Sequence, residues 1–205
     1  MKYKILKDPF KTTRWQGGAV TDPRQVFAEL FLFAGLCSYR HFIKKLLQHA
    51  GSAKTYKGKP PDDVWLYARM IRSTIIAAYA LSAIERNPIV AEEDNLLNKK
   101  FYCSGYKSAS VWTDLPRFLS RKEYRTPYRA FAAFFKYQPL KQWLRSWHRI
   151  VKAALSAKPT RLTPDVLTLY CYLAKLTEAA HLIDVRETTH IDGALKGNNN
   201  SYPYR

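Results

Sequence analysis

Between Pro60-Pro61 and Asn87-Pro88 the chain reads DDVWLYARMIRSTIIAAYALSAIER, apolar on nearly every side of a helix rather than along one stripe. Such text needs cover all round, which predicts a central helix over 62–86 with other helices packed about it. A bilayer is the wrong cover. The longest apolar stretches, Val26 to Cys37 and Ile75 to Ile84, are interrupted by Glu29 and Ser82 and fall short of the roughly 20 residues that a span requires. No membrane partner is expected.

Helix starts are punctuated by a short polar residue followed by proline, the pair that accepts from free backbone N–H groups and wastes no donor. Asp22-Pro23 opens one such segment, with Gln25 completing a capping-box pattern; Thr126-Pro127 and Thr163-Pro164 open two more. The first is expected to run to Gly51 as one helix over 22–50, apolar in its first half. Its second half, with Arg40, His41, Lys44, Lys45 and Gln48, is expected to project into solvent. Residues 88–112 read as a long connection, Asp114 to Tyr124 as a short helix, and Pro127 to Tyr137 as another. From Leu140 to Ala157, the residues Leu140, Leu144, Trp147, Val151 and Leu155 recur at intervals of three or four and mark one buried face. A last helix is expected from Thr163 to about Arg186. Only KYKIL near the start alternates like a strand. The expected fold is therefore all-α, an irregular bundle of five to seven helices over 1–192, with a short extended N-terminal segment and a mobile tail over 193–205.

The 34 Lys and Arg against 16 Asp and Glu leave a net charge of +18, and the excess is uneven. Residues 1–106 hold 17 basic and 9 acidic side chains, residues 107–161 hold 13 and 2, and residues 162–205 hold 4 and 5. A merely solvated helix intersperses both signs, because like charges three or four residues apart repel. Here Lys141, Arg145, Arg149 and Lys152 follow one another at steps of four, four and three on a single helix strip. Arg121, Arg125 and Arg129 repeat the step of four upstream, and Lys136 extends the set. A second unneutralised group is Arg40, Lys44, Lys45, Lys54, Lys57 and Lys59. Regularly spaced cations suit a phosphate backbone, which releases counterions at each contact. The expected partner is RNA or single-stranded DNA, held by backbone and shape, with Tyr137 and Trp143 as candidate stacking rings beside the cations. Size and character suit a non-catalytic, nucleic-acid-binding subunit of a larger ribonucleoprotein, of the bacterial defence or mobile-element kind, alongside protein partners.

Chemistry is thinly supported. Glu178-x-x-His181 and Glu187-x-x-His190 match the element that di-iron carboxylate bundles place on two helices, but both copies fall on one helix and its continuation. A solvated helix end is the plainer expectation for them. His148 lies beside Arg145 and Arg149, where like charge disfavours protonation and suits a base. Arg145 and His148 are closer in sequence than the Arg and His of the helical ribonucleases of the prokaryotic higher-eukaryote nucleotide-binding type, as are Arg186 and His190. A helical nuclease or metal-carboxylate enzyme is the alternative reading. No glycine-rich phosphate loop, nucleophile elbow or Cys-x-x-Cys occurs, so neither a cofactor nor a metal is expected. Cys37, Cys103 and Cys171, odd in number and far apart, are expected to be buried free thiols of a cytoplasmic protein, in keeping with the absence of a secretory signal at MKYKILKDPFKTTRW.

Overall fold

A computed structural model describes residues 22–52, 54–82, 97–103, 111–156, 165–188, 190–191 and 194–195. Seven α-helices make up the described fold: α1 (Pro23–Phe33), α2 (Leu36–Ala50), α3 (Pro61–Ser82), α4 (Arg121–Arg125), α5 (Tyr128–Tyr137), α6 (Leu140–Ala154) and α7 (Val166–Glu187). Beyond α7, β1 (His190–Ile191) pairs antiparallel with β2 (Ala194–Leu195), so the expected tail begins with two paired residues. The extended segment KYKIL, the Thr163-Pro164 start, residues 83–86 at the end of the central helix and the rest of the tail lie outside the described residues, as does most of the connection over 88–112.

The chain enters α1 where Asp22 accepts a 3.0 Å hydrogen bond from the Arg24 N–H. The single helix expected over 22–50 is instead two, bent by 87° at the extended pair Ala34 and Gly35. A glycine costs a helix interior about 1 kcal/mol, and the turn lets each half bury a different face. α1 packs on α3 and α7, whereas α2 packs on α6 and α7. The second half therefore does not project: Phe42, Ile43, Leu46, Leu47 and Ala50 are buried, and only the opposite side of α2 is wet.

α3 is buried on every side from Met70 to Ala78, as its text requires. α7 shares the centre. It packs on α1, α2, α3, α4 and α5, and every residue from Leu176 to Asp184 is buried. The polar members of that run are not a solvated helix end.

The short helix expected over 114–124 forms only as α4. Its start is Ser120, whose hydroxyl accepts from the Glu123 N–H while the Glu123 carboxylate accepts from the Ser120 N–H at 2.7 Å. The cap of α5 is Pro127, and that of α7 is Asp165, which accepts from the Thr168 N–H. The cysteines are free but not buried: Cys37 is exposed, and Cys103 and Cys171 are half-buried.

Candidate nucleic-acid interface

α6 buries Trp143, Leu144, Trp147, Ile150, Val151, Ala153 and Ala154, which places Lys141, Arg145, Arg149 and Lys152 outside, and all four are exposed. At 3.6 residues per turn they span about 80° centred opposite the buried face. α2 is built alike, with Lys44 and Lys45 exposed beside His41 and Gln48. The two helices are neighbours. Neither contains a carboxylate, and no acid lies between Glu29 and Asp62 or between Glu123 and Asp165.

The loop after α2 joins this surface through its backbone. The Tyr56 N–H donates to the Ala154 carbonyl at 2.8 Å, tying the loop to the end of α6. Lys54 and Lys57 are exposed on that loop, and the Lys59 ammonium stands 4.5 Å from the centre of the Tyr67 ring. The exposed Lys44 and Lys45 thus stand on a helix packed against α6, and the exposed Lys54 and Lys57 on a loop tied to the end of α6.

The upstream set sits on other supports. Arg121 is exposed and Arg125 half-buried on α4, which packs on α5 and α7; Arg129 and Lys136 are exposed on α5, which packs on α3 and α7. The step of four does not continue from Arg125 to Arg129, because α4 ends at the break around Thr126 and Pro127.

Arg40 leaves the set altogether. It lies on the buried face of α2, only 7% exposed, and donates to the Thr113 carbonyl at 3.0 Å and the Leu115 carbonyl at 2.8 Å. Its guanidinium pairs with Glu178 at 2.7 Å. Burial pushes Arg40 down from its ordinary pKa and the Glu178 carboxylate opposes that, but an arginine stays charged at any physiological pH. Trp143 is likewise withdrawn. It is fully buried, its ring centre 3.9 Å from that of Phe134 and nearly parallel to it, and its indole N–H donates to the Phe134 carbonyl at 2.9 Å. No base can reach it in this fold. Tyr137 remains half-buried, its ring stacked on Tyr172 at 4.3 Å.

Glu178 and His181 instead tie α7 to residues 102 and 117–119, and Glu187 ties it to α1 and α5. The fully buried Glu178 accepts from the backbone N–H groups of Arg117 (2.9 Å), Phe118 (2.8 Å) and Leu119 (3.2 Å) in addition to Arg40. Those donors follow Pro116 and find their acceptor in a side chain rather than in a helix of their own. One ring nitrogen of His181 lies 2.9 Å from the Tyr102 carbonyl, with the ring packed against Phe31. Arg186 donates to the carbonyls of Phe101 and Tyr124. Glu187 accepts from Tyr128 at 2.7 Å and pairs with Arg24 at 3.1 Å; burial first, then this carboxylate, push the Tyr128 phenol up to about 12. Lys175 pairs with Glu123 at 2.9 Å. Burial pushes the Glu123 carboxyl up, but the Ser120 bonds and Lys175 outweigh it and hold it below the usual carboxylate range.

Among the described residues, no three His, Cys, Asp or Glu side chains are placed to hold a metal. His148 is exposed on α6 beside the cations.

Sequence reasoning missed one exposed ring. Trp65, embedded in text that reads as core, is 47% exposed on the first turns of α3, with exposed Arg69 one turn on. The signal that marks it is the strip Asp62, Trp65, Arg69, three and four residues apart and polar at both ends, masked by the all-apolar text that follows. The chain matches none of the family models, curated proteins or solved structures with which it was compared.

Proposed function

We propose that this protein binds the phosphate backbone of RNA or single-stranded DNA, without catalysing its breakage, as a cytoplasmic subunit of a larger ribonucleoprotein. The supporting observation is the pairing of α2 and α6: two adjacent acid-free helices turn their apolar faces inward and Lys44, Lys45, Lys141, Arg145, Arg149 and Lys152 outward. A phosphate chain lying along such a face meets cations at every turn, and each contact releases condensed counterions. Arginine contributes a planar fork that takes a phosphate with two hydrogen bonds. A merely solubilising face attracts only at long range, and physiological salt screens that attraction over about 8 Å.

Binding to a labelled single strand across a salt series tests the reading. Changing Lys141, Arg145, Arg149 and Lys152 together to Ala is expected to weaken binding equally for unrelated sequences. Each single-strand phosphate contact contributes about 0.7 to the slope of log affinity against log salt, so four lost contacts flatten it by nearly three units. An unchanged slope in a folded quadruple variant refutes this surface as the binding site.

A further inference from the structure

We infer that Phe33 takes an unpaired base and Lys59 a phosphate of the same single strand, beyond the end of α6. This rests on the reading of α2 and α6 as a phosphate-binding surface and adds to it where a base goes. A row of rings sets the geometry. Phe33 stands edge to face with Tyr67, ring centres 5.5 Å apart; Tyr67 lies 5.0 Å from Phe42, and Phe42 lies 6.3 Å from Tyr56. The row closes on α6, where the Tyr56 N–H donates to the carbonyl of Ala154, its last residue, at 2.8 Å. Lys57, next to Tyr56, is exposed, and the Lys59 ammonium stands over the Tyr67 ring, 4.5 Å from its centre. Phe33 and the ammonium therefore share one neighbour.

A lone exposed ring is ordinary on a protein surface. Phe33 differs because a cation comes with it. It is the last residue of α1, 49% exposed, at the corner where the chain turns by 87° through Ala34 and Gly35. Among the described residues, a methyl group at Gly35 would meet no atom within 4 Å, so the corner is open. A carboxylate would hold Lys59 by neutralising it, whereas the face of Tyr67 attracts the ammonium and leaves its charge for an anion. That support is fixed, since Tyr67 is buried against Tyr39 and Phe42. An unpaired nucleotide presents what this corner accepts: a π-face for the ring and a phosphate for the ammonium. The bases of a duplex are stacked on one another and offer no free face. The nearest acids along the chain are Glu29, half-buried one turn back on α1, and Asp62 and Asp63, which sit in the first turn of α3, where the helix's free N–H groups favour negative charge.

Stacking and phosphate contact leave different signatures in salt. For oligouridylate and oligothymidylate probes, Phe33→Ala is expected to weaken binding roughly five- to 150-fold, the range for a single base–aromatic stack, while the slope against log salt stays that of the wild type. Phe33→Leu keeps an apolar contact for Tyr67 but has no π-face, so it should bind nearly as weakly, and it decides the matter should the alanine variant fail to fold. Phe33→Trp should bind at least as well as the wild type. Lys59→Gln is expected to flatten the slope by about 0.7, one phosphate contact. Circular dichroism checks that each variant folds. Loss with both probes assigns the stack to either strand chemistry; loss with one assigns it to that one. Wild-type affinity in folded Phe33→Ala or Phe33→Leu, or an unchanged slope in Lys59→Gln, overturns the inference while leaving the phosphate face of α2 and α6 standing. Wild-type protein that binds neither probe overturns both.

Discussion

Arg40 and Lys44 stand one helical turn apart on α2, carry the same charge, and end in opposite settings. Arg40 turns inward to Glu178 and two loop carbonyls, whereas Lys44 stays on the exposed side of the helix. The same contrast runs through the whole molecule. Along α7, Glu178, His181, Arg186 and Glu187 are engaged with Arg24 and with residues 101–102 and 117–128, while on α2 and α6 the exposed cations face solvent with no acid in either helix. Charge inside is bound by geometry and serves the fold. Charge outside is unopposed along its own helix and suits a polyanion.

The sharpest way to break this contrast is to remove the buried carboxylate. Glu178→Met leaves Arg40 and three backbone N–H groups without their acceptor and is expected to cost about 3–5 kcal/mol in urea unfolding, the usual result of stranding a buried charge. A loss below about 1 kcal/mol would mean that the segment before α4 holds itself. Arg40→Met should cost somewhat less, about 3 kcal/mol, because the carboxylate keeps its three N–H donors. Comparing it with Arg145→Met, expected within about 0.5 kcal/mol of the wild type, separates the buried arginine from the exposed one by stability alone.

Glu123 sharpens the inner side of the comparison through pH. Its folded pKa is depressed, so its contribution exists above the ordinary carboxylate range and disappears as pH falls through the folded value. Glu123→Gln is accordingly expected to be less stable than wild type by about 1 kcal/mol at neutral pH, with the gap closing in acid. A gap that stays constant in urea midpoints measured across that range would rule out the ionised capping box as its source. The smallest expected effect on stability is that of Lys141→Ala, Arg145→Ala, Arg149→Ala and Lys152→Ala combined. Like charges four apart repel by about a few tenths of a kcal/mol, so the midpoint should hold or rise slightly even as binding is lost.

Much of the candidate face was legible in the text, because the spacing that puts Lys141, Arg145, Arg149 and Lys152 on one strip is a property of a single helix. The inward arginine was legible too in principle: Arg40 shares a heptad-like face with Ile43 and Leu47, a position that the cation pattern alone obscures. Trp143 was misplaced for a different reason. Leu140, Leu144, Trp147, Val151 and Leu155 leave it at the edge of the apolar face, but Ile150 and Ala153 are buried too, so the buried arc extends past Trp143, and its ring closes on Phe134.

The all-α class, the run of α6, the start of α1 at Asp22, the all-round burial of the middle of α3 and the surplus of cations on α6 can all be read from the text. Each follows from interactions within a few residues: capping, 3.6-residue periodicity, and the lack of any polar face to leave wet. The 87° turn at Ala34 and Gly35, the packing of α2 on α6, and the burial of Glu178 and His181 in α7 come from the packing of distant segments. Those outcomes depend on which surfaces come together across long stretches of chain. A carboxylate written into a helix is stable when buried only if donors from elsewhere arrive to meet it, and nothing within a turn or two of Glu178 announces that they will.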